Sequence, residues 1–427
     1  MFKRYVRLTF LCTLLLLACS LAAQSDTSYL AKKLAEYKIQ FSAGVQLWAA
    51  YSNGFKAIDP ETGRFGDVDD RLDLQFRRSR FTIKGEPYSG LRFNVTAAVD
   101  FVGRDLFSST EAGNNNGASP RFRIWNAFVQ WRLSSKSDAL HITSGYMVPN
   151  IGRESMTPAL AVPSFEKAWS QNYLRRHLVG TGPGRAVGFN LGGMTGGPKN
   201  YTHVSYDFGM FRYVGTLLEP SVEFKPLVTG RIAIHVADPE WDNYSTSHKV
   251  NYFGRRNGWT FAISAAQRGS TANSYAARAY GGDFLFNRNQ FHFDGDMHYL
   301  RAEDPATGDV ADGNTGYLRA GFNIDNRKGG SLNPTIMYWW LNGSTQQNEQ
   351  EAADRMGFFS GNDSAIDIGL NYHFNPQLTL SLHYTFRDGD PGDLERENVN
   401  NNYFRQVGLE GPVERGDYAG LGLIAAF

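Results

Sequence analysis

From residue 39 to the C-terminus apolar and polar residues alternate with a period of two, and no helical stretch longer than a loop interrupts them. The clearest case is 365 to 387. Ile366, Ile368, Leu370, Tyr372 and Phe374 share one face against Asp367, Gly369, Asn371 and His373. After Asn375-Pro376-Gln377, Leu378, Leu380, Leu382, Tyr384 and Phe386 oppose Thr379, Ser381, His383, Thr385 and Arg387. That is a hairpin with one apolar and one polar face. The same rule covers 90 to 101, 201 to 212 and 289 to 300.

Read this way, strands are expected at 39–53, 71–84, 90–102, 120–133, 139–147, 185–194, 201–213, 229–238, 257–268, 275–286, 289–302, 316–325, 332–342, 363–374, 377–388 and 416–427, sixteen in all. Their connections alternate between long (54–70, 103–119, 148–184) and short (85–89, 134–138, 195–200), with 239–256 long where a short turn is expected. Long loops at one end and tight turns at the other are the layout of an outer-membrane barrel.

Sixteen apolar faces need cover, either from a second sheet or from lipid around a closed barrel with a polar lumen. Three features favour lipid. Charges sit at mid-strand on the polar faces (Asp100, Asp207, Asp294, Asp296, Arg319), which a wet lumen tolerates. Trp131, Tyr338, Trp340, Tyr384 and Phe386 fall near strand ends, as an interfacial girdle requires. Phe427 follows the alternating Ala419, Leu421, Leu423 and Ala425, which resembles the assembly signature of bacterial outer-membrane barrels. The expected fold is therefore all-β, a 16-stranded antiparallel transmembrane β-barrel. A mean hydropathy of -0.39, with no further run of roughly 20 apolar residues, excludes a multi-helix membrane protein. An aromatic content of 14% with 45 Gly suits many strands joined by tight turns.

Residues 1–23 read as a secretory signal peptide: a basic start to Arg7, an apolar run from Leu8 to Leu17, then Ser20, Ala22 and Ala23 before Gln24. Cleavage after Ala23 would remove both cysteines, Cys12 and Cys19, and with them disulfides and thiolate catalysis. The rival is a lipoprotein anchored through Cys19 after Leu17-Ala18. The expected organisation is a signal at 1–23, a short N-terminal segment at 24–38 and a barrel at 39–427 whose loop 148–184 folds inward. Without the signal the chain carries 40 basic against 42 acidic residues, so net charge names no partner and only its placement can.

Residues 76–85, Phe-Arg-Arg-Ser-Arg-Phe-Thr-Ile-Lys-Gly, resemble the Arg-Arg-x-Arg strand and following glycine of the phosphate-selective porin O and P family, at Arg77, Arg78, Arg80 and Gly85. The run from Arg123 to Trp131 resembles the family's next strand, whereas its lysine-rich vestibule has no counterpart. The resemblance implies a bacterial outer-membrane diffusion channel, a homotrimer set in outer-membrane lipid, with an anion-attracting lumen and phosphate among its solutes.

The residues themselves point to an anion route. Loop 148–184 carries Arg153, Lys167, Arg175, Arg176 and His177 against Glu154 and Glu166, with Arg185 just beyond. Folded inward, it would form a basic constriction for small anionic solutes, because a guanidinium fork matches an oxyanion and stays charged. Ser164 to Arg176 is expected to be a short helix capped by Ser164, with Glu166 in its first turn. The competing role for Arg175 and Arg176 is structural, neutralising that helix end or pairing with acids on the wall. In the strand motif, Leu72, Leu74 and Phe76 lie on one parity while Phe81 and Ile83 lie on the other. A bulge must intervene, leaving open which of Arg78 and Arg80 faces the lumen.

Other constellations weigh less. His292, Asp294, Asp296 and His298 share one strand face but are spread along a line, where metal ligands would have to converge. His203 and Ser205 share the lumenal face, the wrong side for a lipid hydrolase. No phosphate-cradling or dinucleotide glycine loop is present, and neither a catalytic residue, a metal, a cofactor nor a nucleic-acid partner is expected. Two rival functions stand beside the anion channel: a general, weakly selective porin, and an exported β-sandwich adhesin or lipoprotein.

Overall fold

The computed structural model describes residues 27–113, 120–196, 201–215, 224–326 and 329–427. The proposed signal peptide lies outside them.

Sixteen strands form the wall: β1 (Gln40–Asn53), β2 (Arg71–Tyr88), β3 (Leu91–Val102), β4 (Arg123–Ser134), β5 (Ser137–Met147), β6 (Ala186–Thr195), β7 (Thr202–Phe211), β8 (Leu227–Ala237), β9 (Gly258–Arg268), β10 (Ala276–Arg288), β11 (Phe291–Glu303), β12 (Val310–Phe322), β13 (Ser331–Asn342), β14 (Asn362–Asn375), β15 (Leu378–Asp390) and β16 (Asp417–Ala426). Each pairs antiparallel with its sequence neighbour, and β1 closes the barrel on β16 from Gly44↔Ala426 to Asn53↔Asp417. Closure leaves no sheet edge unpaired in lipid. The sixteen expected strands match to within a few residues, except that β12 begins at Val310, six residues before the expected 316.

Exposure along the strands inverts the rule for water-soluble proteins. Ile366, Ile368 and Leu370 of β14 face outward at 40%, 48% and 40% exposure, while Asp367 and Asn371 on the other face are buried at 2% and 3%. The outer face is apolar because lipid covers it, and polar side chains turn into a lumen where they find one another. Trp131, Tyr338 and Phe386 stand outward near strand ends.

Besides register shifts beside the turns at Gly85/Tyr88, Arg132/Ser134 and His373/Asn375, two bulges break the alternation within the wall. Between β1 and β2 the register passes from Gln46↔Arg78 to Leu47↔Phe76, so Arg77 is an extra residue. Between β3 and β4 it passes from Thr96↔Asn126 to Ala97↔Ile124, leaving Trp125 extra. A bulge lets neighbouring side chains face the same side. Arg77 and Arg78 are both buried inside the barrel, and the question raised by the sequence is answered: Arg78 and Arg80 both face the lumen.

The long loops gather at one end, where Lys56–Ile58, Phe65–Asp67 and Val413–Glu414 form a small sheet of their own. At the turn end, the short helix α1 (Thr27–Glu36) precedes β1, with Tyr37 accepting a backbone hydrogen bond from Glu86.

Candidate functional site, a basic passage along one wall

Residues 148–185 enter the lumen from between β5 and β6 and cross it. They carry two helices, α2 (Arg153–Met156) and α3 (Ser170–Val179). On the far wall Pro163 accepts hydrogen bonds from Asn371 at 2.6 Å and Thr335 at 3.3 Å. Phe165 stacks on Trp48 of β1 with ring centroids 4.2 Å apart. The Leu160 methyl stands 2.5 Å from where a Cβ on Gly44 would lie, so the chain rests against β1 where the wall has no side chain.

The expected helix is corrected. It begins at Ser170 rather than Ser164, and Ser164 donates to the Glu166 carbonyl at 2.7 Å instead of capping. Glu166 is drawn to Arg77 and Arg78, which favours an irregular turn over a helical one at this point.

The other half of the lumen is filled from the opposite end. Segment 238–257, long where a turn was expected, folds back between the strands. Tyr244 donates to Asp207, and Glu240 receives both terminal nitrogens of Arg153, at 3.0 and 2.6 Å. Arg153 also reaches Asp283 at 3.2 Å, and Asp283 is held by Arg231 at 2.8 Å. Beside this cluster Arg319 bridges Glu154 at 3.0 Å and Asp294 at 2.7 Å. Beneath α3, Ile151, Leu174 and Leu178 pack against Leu300, Tyr317 and Trp339. This half is a packed plug, so any route through the barrel runs along the wall formed by β1 to β5.

A cavity of about 810 Å³ occupies that route. It reaches from Pro376 and Gln377 at the turn end to Gly113 and Val407 at the loop end. Eight basic side chains line it, Arg77, Arg78, Arg80, Arg123, Lys167, Arg175, Arg176 and Arg185, against two acids, Asp100 and Glu166. Seven of the eight basic residues named from the sequence therefore come together. Arg153 does not: it is fully buried in the plug, because Glu240 and Asp283 hold it there. Arg123 takes its place, carried inward by strand parity.

The wall and loop cations differ in their partners. Arg77 and Arg78 share Glu166, and Arg80 pairs with Asp100. Burial raises the Glu166 carboxyl, but Arg77 and Arg78 outweigh it and hold it below the usual carboxylate range. Lys167, Arg175 and Arg185 have no acid within ion-pair distance among the described residues; they donate to the carbonyls of Thr157, Ser155 and Pro183. Among the described residues the Arg175 Nε and Ser155 Oγ are buried without a partner. Burial, then the nearby Arg175, hold the Lys167 ammonium well below the ordinary lysine range, against the pull of Glu154. Trp125 anchors three of the cations, with the guanidinium carbons of Arg185, Arg80 and Arg123 lying 3.8, 4.3 and 5.6 Å from its ring centre.

Residues 45–210 match the family described as phosphate-selective porin O and P. Over that stretch the chain is similar to the porins of that family. The match contains β2, the arginine motif and the crossing loop. The barrel of this porin is also similar to solved structures that share little sequence with it. The anion-selective porin from Comamonas acidovorans is 12% identical, with 91% of this chain and 99% of that one covered at a TM-score of 0.54. For OprB of Pseudomonas putida the values are 9%, 94%, 97% and 0.55. OmpT of Vibrio cholerae in its trimer form gives 7%, 91%, 99% and 0.51. No curated protein matches the sequence. The porin belongs to the bacterial outer membrane, and the family match and the barrel fold point to a channel.

The lesser constellations of the porin have local partners. Ser205 meets His235 at 3.0 Å, whose other nitrogen meets Thr260 at 2.9 Å, and all three are buried. His292 and His298 bond to Asn333 and Ser264 respectively, and Asp296 accepts the Glu154 backbone N–H. Among the described residues no group of three or more histidine, cysteine or acidic side chains converges on a metal position.

Proposed function

We propose that this porin passes small anionic solutes by passive diffusion through the basic passage, with phosphate among them. The observation that carries the reading is the group Lys167, Arg175 and Arg185, three cations on the passage with no acid ion partner among the described residues. An anion there trades hydration for N–H donors already in place, on a path with several such points, so that binding at each stays weak enough for exit. The anion-selective barrel of Comamonas acidovorans is consistent with this reading, and the trimer form of the Vibrio cholerae barrel with assembly as a homotrimer in outer-membrane lipid.

A general, weakly selective pore is the second reading. It is favoured by the ion pairs of Arg77 and Arg78 with Glu166 and of Arg80 with Asp100, which cancel part of the wall charge. The reversal potential of the purified protein in a planar bilayer under a potassium chloride gradient separates the two. Stepwise conductance with chloride preference supports the anion passage, whereas a potential near zero leaves a general pore.

A further inference from the structure

The bulges at Arg77 and Trp125 open onto the passage, and each adds one inward side chain that regular alternation would not supply. In β2 the addition is a cation, Arg77; in β4 it is an indole, Trp125. Inorganic anions need only the first. Trp125 does not stand alone: Phe128 of β4 lines the same cavity, as do Pro158 and Leu160 of the crossing loop. Leu160 reaches the wall at Gly44, so the cavity carries an apolar strip on its loop side as well.

The indole also shapes the cations. With its guanidinium carbon 3.8 Å from the Trp125 ring centre, Arg185 is partly out of water, and beyond its bonds to Pro183 and Asn126 its remaining N–H groups can meet an oxyanion. Arg175 contributes a buried Nε–H without a partner, and Ser155 a hydroxyl. Oxyanion donors thus border an apolar strip in one cavity.

We infer that the passage favours organic carboxylates with a flat apolar body over hydrated inorganic anions or hydroxylated acids of equal charge. This rests on the anion reading above and specifies its substrate class. The carboxylate engages Arg175 and Arg185, and the ring packs beside the edge of Trp125 and against Pro158 and Leu160, where burying a few tens of Å² of apolar surface gives about tenfold in occupancy.

The test uses the wild-type porin in a planar bilayer, measuring block of the chloride current by potassium benzoate, potassium gluconate and potassium phosphate. Benzoate is expected to half-block at roughly one-tenth the concentration of gluconate, and below that of phosphate. Trp125→Leu is expected to remove most of the difference between benzoate and gluconate. Benzoate blocking no better than gluconate in the wild type overturns the inference even where chloride preference is intact. Absence of chloride preference in the gradient experiment overturns the anion reading, and this inference with it.

Discussion

Arg153 and Glu240 join two segments that enter the barrel from opposite ends, with Arg153 Nη2 2.6 Å from Glu240 Oε1 and both side chains sealed from solvent. They are 87 positions apart in sequence. Through this pair the crossing loop and the turn-end segment 238–257 become one plug, which confines the passage to the wall of β1 to β5. Removing one partner of such a pair leaves a buried charge uncompensated, at a cost of about 3 to 5 kcal/mol.

Arg153→Ala is therefore expected to lower the temperature at which the barrel loses its heat-modifiable migration on a gel. Loosening the plug is also expected to raise single-channel conductance. Wild-type thermal migration together with wild-type conductance would contradict the plug.

Glu166 neutralises Arg77 and Arg78 at the passage. Glu166→Gln leaves two adjacent guanidinium groups unbalanced, so chloride preference is expected to rise while thermal resistance falls by a few kcal/mol at most, within the range for a broken buried pair. A reversal potential unchanged or shifted toward cations would show that Glu166 does not bear on the passage.

Arg175→Glu and Arg185→Glu each replace an acid-free cation by an anion, and together they are expected to invert the sign of the reversal potential. Arg153→Glu serves as the contrast: with its site inside the plug, its effect is expected on folding and conductance rather than on charge preference. Equal shifts in reversal potential from all three positions would refute this division of roles.

Lys167 offers a pH test. Its ammonium is held below the ordinary lysine range, so it loses its proton at lower pH than an exposed lysine would. Each deprotonation removes one cation from a passage whose other bases are arginines. Chloride preference is expected to decline as pH rises, with the decline complete before the pH at which an exposed lysine titrates, and Lys167→Arg to abolish it, because arginine stays charged throughout. The same slope in both proteins, followed by reversal potential as pH is raised, would assign it elsewhere.

Segment 238–257 marks where reading the sequence stops short. Its length breaks the alternation of loops and turns, which is visible in the chain, but its buried role depends on Arg153 of a different loop. Ser164 is similar: its capping of a helix looked sound locally, yet Glu166 two residues on is held by Arg77 and Arg78, and the helix starts at Ser170 instead.

Strand number, the lipid-facing side and the inward course of most of the arginines follow from the sequence by itself, since each strand's two faces are set by a period-two rule that acts between adjacent residues. The parity conflict between Phe76 and Phe81 even exposed the bulge. Only the tertiary structure decided that Arg123 lines the passage, that Arg153 is locked in the plug, and that Trp125 is the extra residue of a bulge between β3 and β4. Those outcomes rest on which charges and rings meet across the lumen. Pairings such as Arg153 with Glu240 depend on closure of the whole barrel, and no local pattern encodes the partner.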